Sequence, residues 1–234
     1  IGLVGSEMCI RDRSKEMDFK INAIIPAGGT SSRFGNKNKL LEKINGKEVI
    51  KYTVQAFENS NVDEIIICAN VSIIEELQEI LKDCRKVKII EGGETRQASV
   101  FNGLKASECD YVLIHDAARP MITTDLVNQT IEMVKDKNAL TVATKTIDTI
   151  KEVEDGKITR TIDRAKLYNT QTPQAFKYEL IKDAHTKLYG KNFTDDAGML
   201  EELGETVYIL NGSYKNIKIC LLYTSPSPRD RSVS

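Results

Sequence analysis

From residue 21 onward, short continuous apolar runs alternate with stretches in which apolar residues recur every three or four positions. The short runs are typical of buried parallel strands, and the longer stretches are typical of amphipathic helices. The pattern predicts strands at residues 21–25, 64–69, 87–90, 111–115, 140–144, 207–210 and 217–219. It predicts helices at residues 49–60, 72–82, 96–106, 124–137 and 178–188, and a short helix that ends at residue 203. Repeated β–α units of this length predict a three-layer α/β fold with a mostly parallel, Rossmann-like sheet.

Two boundaries of these elements are expected at particular residues. Pro26 is expected to end the first strand. Ser72 is predicted to cap the second helix, because Glu75 follows three residues later and the two form a capping-box pattern.

Residues 146–161 interrupt the alternation of strands and helices. Asp155-Gly156 separates two short runs, residues 148–153 and 157–161, and this arrangement is typical of a β-hairpin. Both faces of the hairpin are polar, and a two-stranded hairpin has too little core to be stable alone. We therefore predict a protruding arm that packs against another subunit.

The stretch from Pro26 to Lys39 carries the most distinctive chemistry. Gly28 and Gly29 allow the backbone to turn tightly and to approach a ligand. Three hydroxyl side chains follow at residues 30–32, and three cationic side chains lie between residues 33 and 39. A strand, a glycine turn, hydroxyls and cations together favour a polyphosphate-binding loop. An ordinary strand-to-helix loop is the alternative, since the spacing matches neither a Walker A loop nor the dinucleotide fingerprint.

Two further polar turns follow predicted strands, at residues 91–99 and 115–120. Ligands of parallel α/β sheets bind beyond the carboxyl ends of the strands, where these turns meet. Asp116 follows an apolar strand and faces two cationic loops, which is a suitable position for holding Mg²⁺ on a nucleoside triphosphate. The alternatives are a helix cap or an ion pair with Arg119 for Asp116, and a simple tight turn for Gly92-Gly93.

Composition narrows the class of protein. The 234 residues carry a net charge of −1, which argues against general nucleic-acid binding. No apolar run approaches the ~20 residues that a membrane-spanning helix needs. The five cysteines are scattered without metal-ligand spacing, so we expect a reduced, cytoplasmic protein.

Both ends of the chain carry a sequence that we expect to be foreign to the folded domain. Residues 4–12 read VGSEMCIRD and residues 220–228 read CLLYTSPSP. The DNA sequence GTGGGCTCGGAGATGTGTATAAGAGACAG, which resembles a transposon adapter, encodes the first segment on one strand and the second on the other. We therefore expect residues 1–16 and 220–234 to be non-native, and the folded domain to span residues 17–219.

Seven motifs occur in order between residues 21 and 219: PAGG…SSRF…NK, EGGETRQASV, HDAARP, DT-I-K, DR…QTPQ-F, TDDAGMLE and N-I-K. Together they resemble the 2-C-methyl-D-erythritol 4-phosphate cytidylyltransferases of the nucleotidyltransferase superfamily. The resemblance implies that CTP and 2-C-methyl-D-erythritol 4-phosphate react with the help of Mg²⁺. The products would be 4-diphosphocytidyl-2-C-methyl-D-erythritol and pyrophosphate, in the non-mevalonate isoprenoid pathway.

The resemblance also implies a role for each motif residue. Arg33 and Lys39 would stabilise the transition state, and Arg164 and Lys218 would position the incoming phosphate. CTP would be held by residues from the glycine turns and strand ends, namely Pro26, Ala27, Gly28, Gly29, Gly93, Arg96, Ser99 and Ala117. The metal and the methylerythritol phosphate would be served by Asp116, Arg119 and Thr149. The arm would interlock two subunits of a homodimer and lend residues to the neighbouring site.

The chain departs from the family pattern in two places, and two other functions are still compatible with the sequence. Lys39 follows Asn38, where the family usually has a proline, and the foreign tail stands where the family has an acidic motif and a terminal helix. One rival is a pentitol-phosphate cytidylyltransferase with the same chemistry. The other is a non-catalytic nucleotide-binding domain.

Overall fold

The computed structural model describes residues 18–28 and 38–219. The segments expected to be non-native lie outside these residues, as do Gly29 and Arg33. The strands are β1 (Ile21–Ala27), β2 (Lys43–Ile44), β3 (Lys47–Glu48), β4 (Glu64–Ala69), β5 (Val87–Glu91), β6 (Tyr111–Ile114), β7 (Ala139–Lys145), β8 (Ile150–Glu154), β9 (Lys157–Ile162), β10 (Tyr168–Lys177) and β11 (Tyr208–Asn211). The α-helices are α1 (Val49–Glu58), α2 (Val71–Ile80), α3 (Arg96–Lys105), α4 (Thr124–Lys137), α5 (Tyr178–Lys187) and α6 (Asp196–Glu202).

Seven of these strands form one mixed sheet in the order β11, β7, β10, β6, β1, β4, β5. β1 is parallel to β4 and β6, β4 is parallel to β5, and β7 is parallel to β11. β10 is the exception, because it runs antiparallel to both of its neighbours, β6 and β7. The prediction of a mostly parallel α/β sheet is confirmed.

Helices cover both faces of the sheet, because successive side chains of a strand point to opposite faces. Ile25 and Phe57 belong to the apolar layer between the sheet and helices α1, α2 and α4. Ile24 and Phe176 belong to the opposite layer, which joins the sheet to α3, α5 and α6. Burying one such side chain contributes about 1.5–3 kcal/mol, so the two layers together stabilise the three-layer arrangement. No helix in the described part of the chain is both long and apolar enough to cross a membrane.

The prediction that Pro26 ends β1 is wrong, because the strand continues to Ala27. The backbone groups of Ile24 face β6, where its carbonyl oxygen accepts a hydrogen bond from the N–H of His115 (3.0 Å). Pro26 lies two residues further on and faces the same side, but β6 ends at Ile114. A proline at this position therefore removes no hydrogen bond from the sheet.

The prediction that Ser72 caps α2 is also wrong. The helix begins at Val71, and its cap is Asn70, whose side-chain oxygen accepts a hydrogen bond from the N–H of Ser72 (2.9 Å). Asparagine and serine cap helices about equally well, so residue type could not decide between the two positions. β4 ends at Ala69, and the chain turns into the helix at the next residue.

β10 was not predicted as a strand, because its sequence YNTQTPQAFK is largely polar. Gln171, Thr172 and Gln174 are nevertheless buried between β6 and β7. The register with β7 shifts between Thr170 and Gln174, and this irregularity accommodates Pro173 inside a sheet. Buried polar side chains that find hydrogen-bond partners thus replace the apolar pattern expected of an interior strand.

The final predicted strand, residues 217–219, is not a strand. These residues lie beside the loop after β6, where the N–H of Ile219 donates to the carbonyl oxygen of Ala118 (2.8 Å). β6 is an interior strand that is already paired with β1 and β10, so it offers no free edge to a further strand.

The predicted hairpin arm is formed by β8 and β9, which pair with each other outside the main sheet. Asp155 and Gly156 at its tip have φ angles of 49° and 74°, as this type of two-residue turn requires. The side chains of β8 are all exposed, so the arm has no core of its own.

Candidate active site

Gly28 and the turn at Gly92-Gly93 lie close together at the carboxyl end of the sheet. A Cβ placed on Gly28, directly after Ala27, would lie 3.2 Å from the Oγ atom of Ser99. The N–H of Gly93 donates a hydrogen bond to the same Oγ atom (3.0 Å). A Cβ on Gly93 would lie 2.5 Å from the Cβ of Ala98, so the second turn excludes any side chain there. The structure therefore brings Gly28 and Gly93 together around Ser99.

The other residues predicted to hold CTP are placed in different ways. Pro26 and Ala117 are buried at the ends of β1 and β6. The carbonyl oxygen of Ala117 accepts a hydrogen bond from the hydroxyl of Thr53 (2.8 Å), which anchors the loop after β6 to α1. Gly29 lies outside the described residues, as does the catalytic candidate Arg33.

Asp116 accepts contacts from three cationic side chains. The Nε atom of Arg96 donates to Oδ1 at 2.9 Å. The Nζ atom of Lys218 lies 3.3 Å from Oδ2, and the Nε atom of Arg119 lies 3.7 Å from the same oxygen. The alternative interpretation of Asp116, an ion pair with Arg119, thus describes only one of three contacts. We call Asp116, Arg96, Arg119 and Lys218 the Asp116 cluster.

The electrostatics of the Asp116 cluster keep the carboxyl group ionised. Burial alone would raise the pKa of Asp116, but the charges of Arg96 and Lys218 outweigh it and lower the pKa to about 2. Burial would likewise lower the pKa of Arg96, and the carboxylates of Asp196 and Asp116 instead raise it. The ionised Asp116 is outnumbered by the three cationic side chains around it, and this positive excess suits a polyanionic ligand.

Residues 216–219 carry Lys218 and are held by hydrogen bonds from Arg119 and Lys39. The Nη1 atom of Arg119 donates to the carbonyl oxygen of Asn216 (2.7 Å). The Nζ atom of Lys39 donates to the carbonyl oxygen of Ile219 (2.9 Å), next to Lys218. The structure therefore brings Lys39 and Lys218 to the same segment, although that segment is not the strand that was predicted.

His115 is buried and links the cluster to β10 through a chain of hydrogen bonds. Its Nε2 atom lies 3.1 Å from the carbonyl oxygen of Arg119, which can only accept, so Nε2 carries the hydrogen. Its Nδ1 atom accepts from the hydroxyl of Thr172 (2.9 Å), and that oxygen accepts from the N–H of Asp116 (3.0 Å). Burial lowers the pKa of His115 to about 4, so the ring is neutral and supports the loop.

Sequence reasoning missed the contact between Arg96 and Asp196. The Nη1 atom of Arg96 donates to Oδ2 of Asp196 (3.0 Å), which is 100 residues away in the chain. The Oδ1 atom of Asp196 lies 3.1 Å from the Nε2 atom of His185. The sequence carried one signal of this contact, the two consecutive aspartates in TDDAGMLE. Asp195 alone caps α6, so the second carboxylate, Asp196, is left for another role.

Arg164 and Thr149 belong to the arm and its base. Arg164 donates a hydrogen bond to the carbonyl oxygen of Ile147, and Thr149 is exposed just before β8. Within residues 18–28 and 38–219, the ion pairs of Asp116 include neither of them. A single chain therefore assembles only part of the predicted site.

Asp116 is also the carboxylate that could hold a divalent cation. Among the described residues, no three His, Cys, Asp or Glu side chains converge as a metal-binding group. Mg²⁺ commonly binds one or two carboxylates together with substrate phosphates and water, and an ionised Asp116 fits that mode. Its two oxygens face Arg96, Arg119 and Lys218 in this structure, so a bound cation would replace at least one of these contacts.

Comparisons with known proteins identify the family. The model of the 2-C-methyl-D-erythritol 4-phosphate cytidylyltransferase (IspD) family matches residues 21–223. The chain belongs to this family. A family member from Clostridioides difficile (strain 630) is 39% identical over 226 residues, which cover 91% of this chain and 91% of that protein. A second, from Bacillus licheniformis, is 41% identical over 211 residues, 87% of this chain and 90% of its own length.

Solved structures of the family share the fold. The 4-diphosphocytidyl-2C-methyl-D-erythritol synthase of Anaerococcus prevotii has a TM-score of 0.77 and 31% identity, over 86% of this chain and 90% of that one. The 2-C-methyl-D-erythritol 4-phosphate cytidylyltransferase of Thermus thermophilus has a TM-score of 0.72 and 26% identity, over 88% of this chain and 93% of its own. The resemblance inferred from the seven motifs is confirmed, and the chain is a nucleotidyltransferase enzyme.

Proposed function

We propose that this chain transfers the cytidylyl group of CTP to 2-C-methyl-D-erythritol 4-phosphate in the non-mevalonate isoprenoid pathway. The products are 4-diphosphocytidyl-2-C-methyl-D-erythritol and pyrophosphate. The observation that carries the proposal is the convergence of Arg96, Arg119 and Lys218 on Asp116, on the same side of the sheet as Gly28 and Gly93. Positive charge and closely approaching backbone at strand ends suit a nucleoside triphosphate. Membership of the family supports the two substrates.

The proposed reaction needs positioned cations more than it needs a base. A phosphate oxygen of the methylerythritol phosphate forms a bond to the α-phosphorus of CTP, and the bond to pyrophosphate breaks. The attacking phosphate monoester already carries a charge of about −1.5 to −2 at pH 7, so no proton has to be removed from it. The neutral, doubly hydrogen-bonded His115 agrees with a site that lacks a general base. The barrier lies in bringing two anions together, which preorganised positive charge lowers.

We assign the cationic side chains to two groups of the reaction, the attacking phosphate and the α-phosphorus with its leaving pyrophosphate. Lys218 and Arg164 position the attacking phosphate, and Lys39 and Arg33 stabilise the charge that grows on phosphorus and pyrophosphate. The hydrogen bond between Lys39 and the carbonyl oxygen of Ile219 supports the role of Lys39, because it holds Nζ against the residue that follows Lys218 in the chain. The role of Arg33 rests on the motif alone, since this residue lies outside the described part of the chain.

We assign CTP binding to the backbone of the glycine turns. Backbone amides near Ala27 and Gly28 would read the edge of the cytosine, and the close approach of the base to this backbone would leave little room for a purine ring. A Cβ on Gly28 would lie 3.2 Å from the Oγ atom of Ser99, so a side chain there would crowd Ser99. The residues proposed to hold CTP are those implied by the motifs: Pro26, Ala27, Gly28, Gly29, Gly93, Arg96, Ser99 and Ala117. Asp116, Arg119 and Thr149 would serve the metal and the methylerythritol phosphate.

We propose Mg²⁺ as the divalent cation, held by Asp116 together with phosphate oxygens and water. A bound cation would neutralise part of the negative charge of the triphosphate. The low pKa of Asp116, about 2, supports this assignment because the carboxylate is available as an oxygen ligand at neutral pH.

We propose a homodimer in which the arm of one subunit reaches the active site of the other. Val153 and Ile158 lie opposite each other on the arm, and their side chains are 56% and 64% exposed. Apolar pairs of this kind gain stability when another surface covers them. Arg164 lies at the base of the arm, so the same contact would bring its charge to the neighbouring Asp116 cluster.

We place the reaction in the cytoplasm. Cys68, Cys84 and Cys109 are free thiols, as is usual in proteins kept under reducing conditions. Burial raises the pKa of Cys68 to about 12, so this thiol is not a reactive group.

A pyrophosphate-release assay tests the proposed function. The enzyme is given CTP, ATP or GTP with either 2-C-methyl-D-erythritol 4-phosphate or ribitol 5-phosphate, in MgCl₂ or in EDTA. We expect turnover with CTP and the methylerythritol phosphate in the presence of MgCl₂. Equal turnover with a purine nucleotide, or a preference for ribitol 5-phosphate, would overturn the substrate assignment. Binding of CTP without any pyrophosphate release would instead indicate a nucleotide-binding protein.

A further inference from the structure

Arg96 occupies an electrostatically unfavourable position. It is the first residue of α3, and the positive end of a helix dipole disfavours a cation. The first turn of α3 contains no acidic side chain that could offset the charge. Carboxylates from other elements must therefore hold this guanidinium in place.

Two carboxylates from opposite sides supply that compensation. Asp116, after β6, accepts from the Nε atom of Arg96 (2.9 Å), and Asp196, at the start of α6, accepts from its Nη1 atom (3.0 Å). Neither bond uses Nη2, so the guanidinium keeps donors for a phosphate. The bridge fixes the plane of the guanidinium as well as its position.

The two carboxylates differ in how firmly they are committed to Arg96. Asp116 is shared with Arg119 and Lys218, and it is the proposed ligand of a divalent cation. Asp196 is 1% exposed, and its second oxygen is held by the Nε2 atom of His185 (3.1 Å). The ring of His185 stacks on Phe101 of α3, with centroids 5.7 Å apart and planes 16° apart. Asp196 is therefore the fixed end of the bridge.

We propose that Asp196 is a positioning residue for CTP binding. It holds the guanidinium of Arg96 in the orientation that presents its remaining N–H groups to the triphosphate, including when Asp116 turns to another ligand. The inference rests on the proposed role of Arg96 in holding CTP. Asp196 touches no substrate itself and acts through Arg96.

The direct test is CTP affinity of the full chain by isothermal titration calorimetry. No methylerythritol phosphate is added, so no turnover occurs, and the titration is done in MgCl₂ and again in EDTA. Outer-shell partners of ligands typically account for about 10–100-fold in affinity or activity at metal sites. We expect Asp196→Asn to weaken CTP binding by about 10-fold in both solutions, because a neutral amide holds Arg96 less firmly.

Asp195→Asn is the matched control. Asp195 is the adjacent carboxylate and caps α6 by accepting from the N–H of Gly198 (2.9 Å), and its other oxygen binds Gln174 rather than Arg96. Asparagine caps a helix as well as aspartate does, so this variant removes a charge and keeps the cap. We expect its CTP affinity to stay within about twofold of the unsubstituted chain.

A double-mutant cycle separates positioning from a general structural effect. If Asp196 acts through Arg96, the double variant Arg96→Lys, Asp196→Asn should bind CTP about as weakly as Arg96→Lys alone. The inference is overturned if the loss of CTP affinity in the double variant equals the product of the losses in the two single variants. It is also overturned if Asp196→Asn binds CTP as tightly as the unsubstituted chain while Arg96→Lys binds it more weakly. Unchanged affinity in Arg96→Lys would remove the proposed role of Arg96 and this inference with it, while the turnover assay would still decide the activity.

A second variant keeps the test decisive if Asp196→Asn does not fold. Asp196→Ser removes the charge and leaves a short hydroxyl side chain that can still donate or accept a hydrogen bond at this position. Its thermal unfolding is measured first, and CTP is titrated well below the midpoint. Weaker binding supports the positioning role, and an affinity equal to that of the unsubstituted chain overturns it.

Discussion

Two arginine–carboxylate pairs in this chain have the same chemistry and very different surroundings. Arg96 and Asp116 pair at the carboxyl end of the sheet, where their side chains are 28% and 11% exposed and two further cations approach the carboxylate. Arg160 and Glu152 pair across the two strands of the arm, where their side chains are 68% and 51% exposed. The first pair lies largely buried in a region of low dielectric constant, and the second is screened by solvent.

The difference shows how the proposed site divides between elements. Arg96 lies on α3, and Asp116, Arg119 and Lys218 lie on loops that contact each other, so one chain brings the four side chains of the Asp116 cluster together. The arm has no core, and Arg164 at its base donates only to the carbonyl oxygen of Ile147 among its described hydrogen bonds. The contribution of Arg164 to the incoming phosphate is therefore expected to depend on a second subunit, whereas Lys218 is already beside Asp116 in one chain.

The largest effect should come from removing the charge at the centre of the cluster. Asp116→Asn eliminates the proposed metal ligand and leaves Arg96, Arg119 and Lys218 without their shared anion. Changes to the outer partners of metal ligands typically cost about 10–100-fold, so loss of a direct ligand should lower kcat by at least about 100-fold. Removing one partner of a buried ion pair typically also destabilises by about 3–5 kcal/mol, and the partial exposure of Lys218 should reduce that figure.

The matched control for this prediction is an exposed carboxylate on α5. Asp183→Asn breaks only its ion pair with Lys187, whose side chain is also exposed. Pyrophosphate release and urea unfolding are measured for both variants. If Asp116→Asn retains a kcat within tenfold of the unsubstituted enzyme, Asp116 is not the essential carboxylate of the site.

The next largest effect tests whether cluster and arm from different subunits share a site. Lys39→Ala and Arg164→Ala should each be nearly inactive, since loss of one charge-stabilising donor typically costs about 10²–10³ in rate. In a mixed dimer with isologous symmetry, one of the two composite sites carries neither substitution. Mixing the two proteins, with time for subunit exchange, should therefore restore roughly a quarter of the original activity.

Sites confined to one chain predict no recovery in that mixture. Sedimentation of the unsubstituted protein provides an independent check, because a fully active monomer is incompatible with a shared site. The Lys39→Ala protein alone, at the same total concentration and incubation time, gives the baseline activity.

The sequence predicted the apolar framework better than the polar parts of the site. Runs such as Glu64–Ala69 and the 124–137 helix matched the structure because apolar periodicity reflects burial directly. β10 escaped prediction because Gln171 and Thr172 are buried through hydrogen bonds, and hydrogen bonding leaves no periodic signal. Motifs named the glycine turns and Asp116, but only the fold could show that Asp196 meets Arg96.

A smaller effect should appear in the pH dependence of stability, and only on the cluster side. Burial lowers the pKa of His115 from 6.5 to about 4, so between these values the unfolded chain binds the proton more readily than the folded chain does. His115 therefore contributes stability that is complete above about pH 6.5 and is lost as the pH falls toward 4. The shift corresponds to about 3 kcal/mol.

Urea unfolding at pH 7, 5.5 and 4.5 measures this contribution. His115→Gln removes the titrating group and keeps a hydrogen-bonding side chain, so its free energy of unfolding should fall less steeply with decreasing pH. Asp116, Arg119 and Arg96 face the ring, and their charges remain in the variant. Parallel pH profiles for the two proteins would contradict the assigned protonation of His115.

The smallest effect is expected for the ion pair of the arm. A double-mutant cycle with Glu152→Gln and Arg160→Gln, followed by urea unfolding, should give a coupling energy of about 0.2–1 kcal/mol, because water screens the pair and both side chains lose freedom in forming it. High salt should remove most of that coupling, since exposed charges are screened at short range. The same cycle on the Arg96–Asp116 pair should give a larger coupling that salt changes little.

A coupling well above 1 kcal/mol on the arm would mean that another surface shields the pair. Repeating the cycle across the concentration range of dimer dissociation would then locate that surface, because shielding by the partner subunit disappears on dilution and shielding by the same chain does not.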